Sequence, residues 1–333
     1  MSPMSGIEFF SKQTVVCICM SLLTVSTCHA AEWKTERSVE IVAPSGAGSS
    51  TDRTARVVQR ILQEQKLVDV PVTVVNRPGG SGSIGLNYVN QHPGDGHYLI
   101  IATTAAISNH IMGLATYNHT DFTSLAMLFD EYLGVVVRTD SPLKTGREFA
   151  DRLLKDPEAF SIGISTSVGG ANHSALMVCL RAAGVNIKRL KTVVFAGGAM
   201  SATALLGGHV DAINTAPDNV AEHVKAGRLR MLVISSPRRL SGLFAAVPTW
   251  KEQGVNAQSG SWRGIIGPKG ITPEQVAYWD LVFARLVQTD AWKKELSGNF
   301  WEDSYADSKG TRRRLDEEYT EYKAMLGELG YAK

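Results

Sequence analysis

The sequence predicts an α/β protein of two domains, each a series of strand–helix–strand units. Three observations lead there. At 333 residues the chain is long enough for about two domains of roughly 100–200 residues each. From Val39 onward short β-type runs alternate with helical patterns, the mark of βαβ units and a parallel sheet. The 31 glycines gather where those runs end, which points to sites built from backbone. The apolar share of 44% supports an ordinary buried core. A net charge of +2 leaves no basic excess, so nucleic acid is not an expected partner.

The first thirty residues read as a secretory signal. Val15 to Val25, VVCICMSLLTV, is an apolar run of 11 residues preceded by Lys12, too short for the roughly 20 residues that span a bilayer. Cleavage is expected after Ala30, with Cys28 and Ala30 at the small-residue positions. A lipid-anchored Cys28 is the alternative, but Thr27 before it suits that processing poorly. Cleavage removes Lys12 and Glu8 and leaves the net charge unchanged. It also removes Cys17, Cys19 and Cys28, leaving Cys179 alone in SALMVCLRAAG. One cysteine forms no internal disulfide, and an apolar helical setting argues for a buried thiol. The mature chain is therefore expected in the periplasm.

In order, 39–43 is a strand, and a helix follows the turn Pro44–Asp52, with Ala55, Val58, Ile61 and Leu62 on one face and Arg56, Arg60 and Gln63 on the other. Residues 70–75 form the next strand, Asn76-Arg77-Pro78-Gly79-Gly80 breaks it, and a small helix from Ser83 precedes strand 98–102. A second series of strands is expected at 134–138, 160–165, 192–195, 211–214 and 230–235. Helices at 146–155, 172–183, 199–207 and 218–226 separate them, and the chain ends in helices 273–288 and 308–329.

Open parallel sheets take ligands outside the carboxyl ends of their strands. The turns at 44–52, 76–83, 103–109, 165–173, 196–200 and 214–219 are thus the candidates, including Thr103, Gly197 and Gly198. Two are rich in Gly, Ser and Thr and run straight into helix starts. There the unpaired N–H groups and about half a positive charge suit an anion. In the first, Gly46 and Gly48 allow close approach, and Ser45, Ser49, Ser50 and Thr51 add hydroxyls. In the second, Ser165-Thr166-Ser167-Val168-Gly169-Gly170-Ala171-Asn172-His173 repeats the chemistry. Each alone could be a plain capped turn; two in separate halves favour a shared anion cleft. His173 could donate to the anion or simply pack.

Catalytic motifs are weaker. Gly80-Ser81-Gly82-Ser83-Ile84-Gly85 fits G-x-G-x-x-G, but Ala102-Thr103-Thr104 ends the next strand where a ribose-binding acid belongs. Ser141-x-x-Lys144 and Lys144-Thr145-Gly146 overlap, whereas that chemistry needs separate, converging elements. His92 and His97 flank Pro93-Gly94-Asp95-Gly96, a surface turn rather than a metal site. No catalytic residue, cofactor or metal is expected.

The segments APSGAGSSTD (43–52), VVNRPGGSGSIG (74–85), PGDGHYLIIATT (93–104), YNHTDFTSLAML (117–128), VVFAGGAMSATALLGGHVDA (193–212), HVKAGRLRMLVISSPRR (223–239), VPTWKEQGV (247–255) and SWRGIIGPKGITP (261–273) cover nearly all of the mature chain. Their order resembles the extracytoplasmic solute receptors of tripartite tricarboxylate transporters, the Bug or TctC family. The resemblance implies a two-lobed, type II-like periplasmic-binding-protein fold, two βαβ domains joined by a two-strand hinge, closing on a small carboxylate. It places carboxylate binding on Ser45, Gly46, Gly48, Ser49 and Asp52 in lobe one and on Ser165, Thr166, Gly169, Gly170 and His173 in lobe two. Lobe one is expected to span 31–132 and 258–333, lobe two 133–257, with connecting strands near 132–136 and 258–262.

The sequence departs from the family pattern at Ser45, Ser49, Gly170 and Arg263. Arg263 is expected either to meet a ligand charge or to form a surface ion pair. The function expected is capture of a small organic acid (a di- or tricarboxylate, an amino acid or an aromatic acid) by a monomer that delivers it to membrane permease subunits. The same module presenting its ligand to a membrane signalling protein is the alternative, and a secreted enzyme acting on carboxylates or esters, suggested only by Ser165, His173 and the overlapping motifs, is a third class.

Overall fold

The computed structural model describes residues 33–165 and 167–333; the expected signal peptide lies outside the described residues. The first part of the chain runs β1 (Val39–Ala43), α1 (Ser50–Glu64), β2 (Val72–Asn76), α2 (Ser83–Asn90), β3 (Tyr98–Ala102), α3 (Ala105–Ile111) and β4 (Phe122–Tyr132). The middle runs β5 (Gly134–Arg138), α4 (Gly146–Lys155), β6 (Ser161–Ser165), α5 (Ala171–Ala182), β7 (Lys191–Phe195), α6 (Gly198–Leu206), β8 (Ala212–Thr215), α7 (Ala221–Lys225) and β9 (Leu229–Ile234). The last part runs β10 (Gly260–Pro268), α8 (Pro273–Gln288), α9 (Asp290–Gly298), β11 (Trp301–Ala306) and α10 (Ser308–Glu328).

Local chemistry explains many of these boundaries. Ser49, Thr145 and Asp307 each accept a backbone N–H at the starts of α1, α4 and α10, and Thr272 with Gln275 forms a reciprocal capping box around Pro273 at the start of α8. The apolar face of α1, including Ala55, Val58, Ile61 and Leu62, is fully buried. Where a helix at 218–226 was expected, Pro217 instead starts a 3-10 turn over Pro217–Asn219, and only the short α7 follows.

Two sheets result, a six-stranded one in the order β11-β4-β10-β3-β1-β2 and a five-stranded one in the order β7-β6-β8-β5-β9. The sequence predicts parallel sheets, but each is mixed. β1, β2 and β3 are parallel to one another, as β8 and β7 are to β6. β10 pairs antiparallel with both β3 and β4, and β5 antiparallel with β8 and β9. The cause is the crossing between sheets. β4 carries the chain out at Tyr132 and β10 brings it back at Gly260, paired side by side, and a strand that leaves beside one that returns must run opposite to it.

Trp279, Trp292, Phe283 and Phe129 fill the core under the first sheet, where Phe129 stacks on Trp301 at 4.0 Å between ring centres. Cys179 is fully buried among apolar side chains, and burial pushes its thiol up to about 12. α10 packs on β4 and also reaches the second sheet's helices, where Glu328 pairs with Arg181 on α5 at 3.0 Å. No described helix is long and apolar enough to cross a membrane.

Candidate functional site

The first glycine-rich turn joins β1 to α1. Ser45 Oγ hydrogen-bonds the hydroxyls of Ser49 and Thr51, and Ser49 Oγ accepts the Asp52 N–H at 3.3 Å. Asp52 is buried and acts as the organiser of the turn. Its carboxylate accepts the Gly48 N–H at 2.8 Å, the Asn76 amide at 2.8 Å and Arg56 Nε at 3.0 Å. Burial opposes ionisation of Asp52, but the Arg56, Gly48 and Asn76 hydrogen bonds outweigh it and hold the carboxyl below its usual range. Gly46 is exposed, with open space where a side chain would stand.

The second turn joins β6 to α5. Ser165 ends the strand, Gly170 occupies the N-cap position without a capping side chain, and Thr166 lies outside the described residues. The Gly169 N–H donates to His173 Nδ1 at 3.2 Å, and Ser174 Oγ donates to the Gly169 carbonyl at 3.1 Å. His173 is 3% exposed, and burial lowers its pKa to about 4. His173 is thus a neutral imidazole whose Nδ1 accepts the Gly169 N–H, which puts its own proton on Nε2. Gly169 has φ +76, and a Cβ there would lie 2.4 Å from Met112 Sδ at the end of α3.

The other predicted positions stand at similar ends. Thr103 Oγ1 accepts the Ala105 N–H at 3.2 Å at the start of α3. Gly197 is the N-cap residue of α6, and Gly198 packs so closely on Asn219 that a Cβ would come within 2.4 Å of it. Contacts tie the two halves around these turns. Arg53 on α1 pairs with Asp218 beside β8 at 2.7 Å, and Gly169 lies against Met112 and Leu326. The start of α1 and the second turn therefore each touch the opposite half of the molecule.

Sequence reasoning did not find several of the residues here. Tyr322 on α10 lies beside Thr104 and Ser174, one from each half, and burial pushes its hydroxyl up. Glu131, one residue before the end of β4, is 5% exposed; an acid closing an apolar strand run was the available signal. It pairs with Arg263 Nη2 at 3.0 Å. Arg263 is itself 6% exposed, so its partner is a buried carboxylate, and the surface ion pair expected from sequence is replaced by a buried one. Burial raises the Glu131 carboxyl above its usual range, Arg263 opposes the rise and Asp218 adds to it.

The His92–His97 turn also differs from a simple surface turn. His92 stacks on Tyr98 at 3.7 Å, and His97 is buried with Nδ1 2.8 Å from Asp95. No cluster of His, Cys, Asp and Glu among the described residues is placed to hold a metal. An open groove of about 630 Å³ along α1 contains Arg53, Arg56 and Arg60, yet each is already paired with a carboxylate.

Two mixed sheets, with the chain leaving the first along β4 and returning to it along β10, fit a solute receptor of the periplasmic-binding-protein kind. The family profile described as "Tripartite tricarboxylate transporter family receptor" matches residues 54–331, and the chain belongs to that family. Its members are receptors, not enzymes. A relative from Cupriavidus necator, the UPF0065 protein in the gbd 5' region, is 28% identical over 313 residues, covering 90% of this chain and 89% of its own. A TctC solute-binding protein from Polaromonas superposes with a TM-score of 0.72 at 28% identity, covering 88% of this chain and 98% of that one. MatC from Rhodopseudomonas palustris, solved with bound malate, has a TM-score of 0.74 at 22% identity, covering 87% of this chain and 99% of that one.

Proposed function

We propose that this receptor captures a small organic carboxylate between a lobe of residues 31–132 and 258–333 and a lobe of residues 133–257. The observation that carries the reading is the pair of glycine-rich turns, one from each sheet, that lead directly into α1 and α5, where Arg53 and Gly169 touch the opposite half. Of the predicted residues, Ser45, Gly46, Ser49 and Thr103 on one side and Ser165, Thr166, Gly170, Gly197 and Gly198 on the other would face the ligand. Gly48, Asp52, Gly169 and the Nδ1 of His173 shape the turns, because these groups already bond one another. First-turn N–H groups carry no intrahelical partner, so a carboxylate supplies what the helix starts lack. A charge-assisted hydrogen bond contributes about 1.5–3 kcal/mol, so four to six of them, less the association cost, reach about −8 kcal/mol, a micromolar complex. Malate in the related MatC structure agrees in ligand chemistry. Export through residues 1–30 and delivery to membrane permease subunits complete the reading, with hinge closure as the motion that commits the ligand.

The test is a thermal-shift screen of the mature chain against di- and tricarboxylates, amino acids and aromatic acids, followed by titration calorimetry. A ligand at a thousandfold excess over Kd stabilises the fold by about 4 kcal/mol. A panel in which no acid raises the unfolding temperature overturns the reading.

A further inference from the structure

Arg263 holds three segments of the first half together: β10, β4 and the start of α1. A guanidinium has five N–H donors in a fixed fork, and here four contacts are made. Nη1 donates to Ser261 Oγ at 2.6 Å and to the Trp262 carbonyl at 3.0 Å, both on β10. Nη2 donates to Glu131 Oε2 at 3.0 Å on β4 and to Ser50 Oγ at 3.0 Å, the first residue of α1. A register shift in the β10–β4 pairing falls between Arg263 and Gly264, and a Cβ on Gly264 would stand 2.8 Å from the Ala126 carbonyl.

Removing two charges from water costs several kcal/mol per ion, and an apolar pair of similar volume is often as stable or more so. Stability is therefore a poor account of this pair, and its connections are a better one. Ser50 is the point at which the first anion turn becomes helix. Arg53, one turn further on, pairs directly with Asp218 of the other half.

We propose that Arg263, held by Glu131, is a positioning residue of the ligand site: it pins the start of α1 to both connecting strands, so that the donors of the first turn keep their aim and move with the hinge. The proposal rests on the carboxylate-binding reading above. It assigns Arg263 to neither of the roles expected from sequence.

Two variants test it. Ser50→Ala removes the tether and leaves the ion pair. The double variant Arg263→Met/Glu131→Leu replaces the pair with apolar groups and avoids the unpaired buried carboxylate that Arg263→Met alone would create. Amide exchange over 44–52 in the ligand-free protein is expected to quicken about tenfold in both, while exchange in the buried turns of α1 stays as in the parent. Calorimetric affinity for succinate, or for the best acid in the screen, is expected to fall about five- to tenfold with little change in unfolding temperature. Unchanged exchange overturns the proposal, as does faster exchange without loss of affinity. A lowered unfolding temperature with exchange raised throughout α1 also overturns it, since that is what a merely structural pair would give. If the double variant does not fold, Ser50→Ala decides alone. If the parent binds no acid, the reading of function fails, and the exchange experiment still decides the tether.

Discussion

The two glycine-rich turns share a composition but are built differently. The β1–α1 turn is organised by an anion: Asp52 gathers Gly48, Asn76 and Arg56 around one carboxylate and leaves Gly46 exposed. The β6–α5 turn is organised by a neutral ring: His173 takes the Gly169 N–H, and the turn is packed against Met112 and Leu326. One is an open loop with an internal brace, the other part of the contact between the two halves. Similar Gly and Ser content therefore implies different tolerance to substitution.

The largest expected effect falls on the packed turn. Gly169→Val meets both a positive φ and the Met112 sulfur, and should cost about 3 kcal/mol or more, seen as a lower midpoint in urea. A midpoint equal to the parent's would show that the turn can move away, and the comparison would fail.

Acid comes next. His173 titrates near 4 in the folded chain and near 6.5 unfolded. The unfolded chain therefore binds the proton first, and stability falls as pH drops below about 6.5 and continues to fall until about 4. Between pH 7 and pH 5 this is about 2 kcal/mol. His173→Gln should flatten that part of the urea-stability profile, and an unchanged slope would remove the buried neutral ring from the account.

Asp52 behaves in the opposite sense. Its folded carboxyl is lowered, so its stabilisation is present above the ordinary carboxylate range and is lost as pH falls through the folded value. Asp52→Asn should cost about 1–2 kcal/mol at pH 7, with the gap to the parent closing below about pH 4. A gap that persists in acid would mean shape rather than charge holds the turn. The smallest effect on stability belongs to Gly46→Val, where the space is open: a change within about 0.5 kcal/mol, accompanied by loss of calorimetric carboxylate binding. Retained binding would take the first turn out of the site.

Much of this arrangement is legible before folding. β1, the amphipathic face of α1, and the capped helices α4 and α8 follow from periods and capping residues within a dozen positions. β4 is less readable. FTSLAMLFDEY is buried along nearly its whole length, so it lacks the alternation that marks a half-exposed strand. β10 hides behind three glycines and a proline in GSWRGIIGP. The two turns stood out because Gly, Ser and Thr cluster there, but nothing local distinguishes Asp52, bonded to Gly48 in its own turn, from an acid reaching for a ligand.

The sequence by itself determined the alternation of strands and helices, the location of the glycine-rich turns and the family's order of motifs, because each depends on neighbours along the chain. Only the tertiary structure decided that β4 and β10 run antiparallel, that His173 is a buried neutral ring, and that Arg263 is buried against Glu131, 132 positions away. Those outcomes depend on which distant segments exclude water together, and burial alone changes what a histidine or an arginine can do.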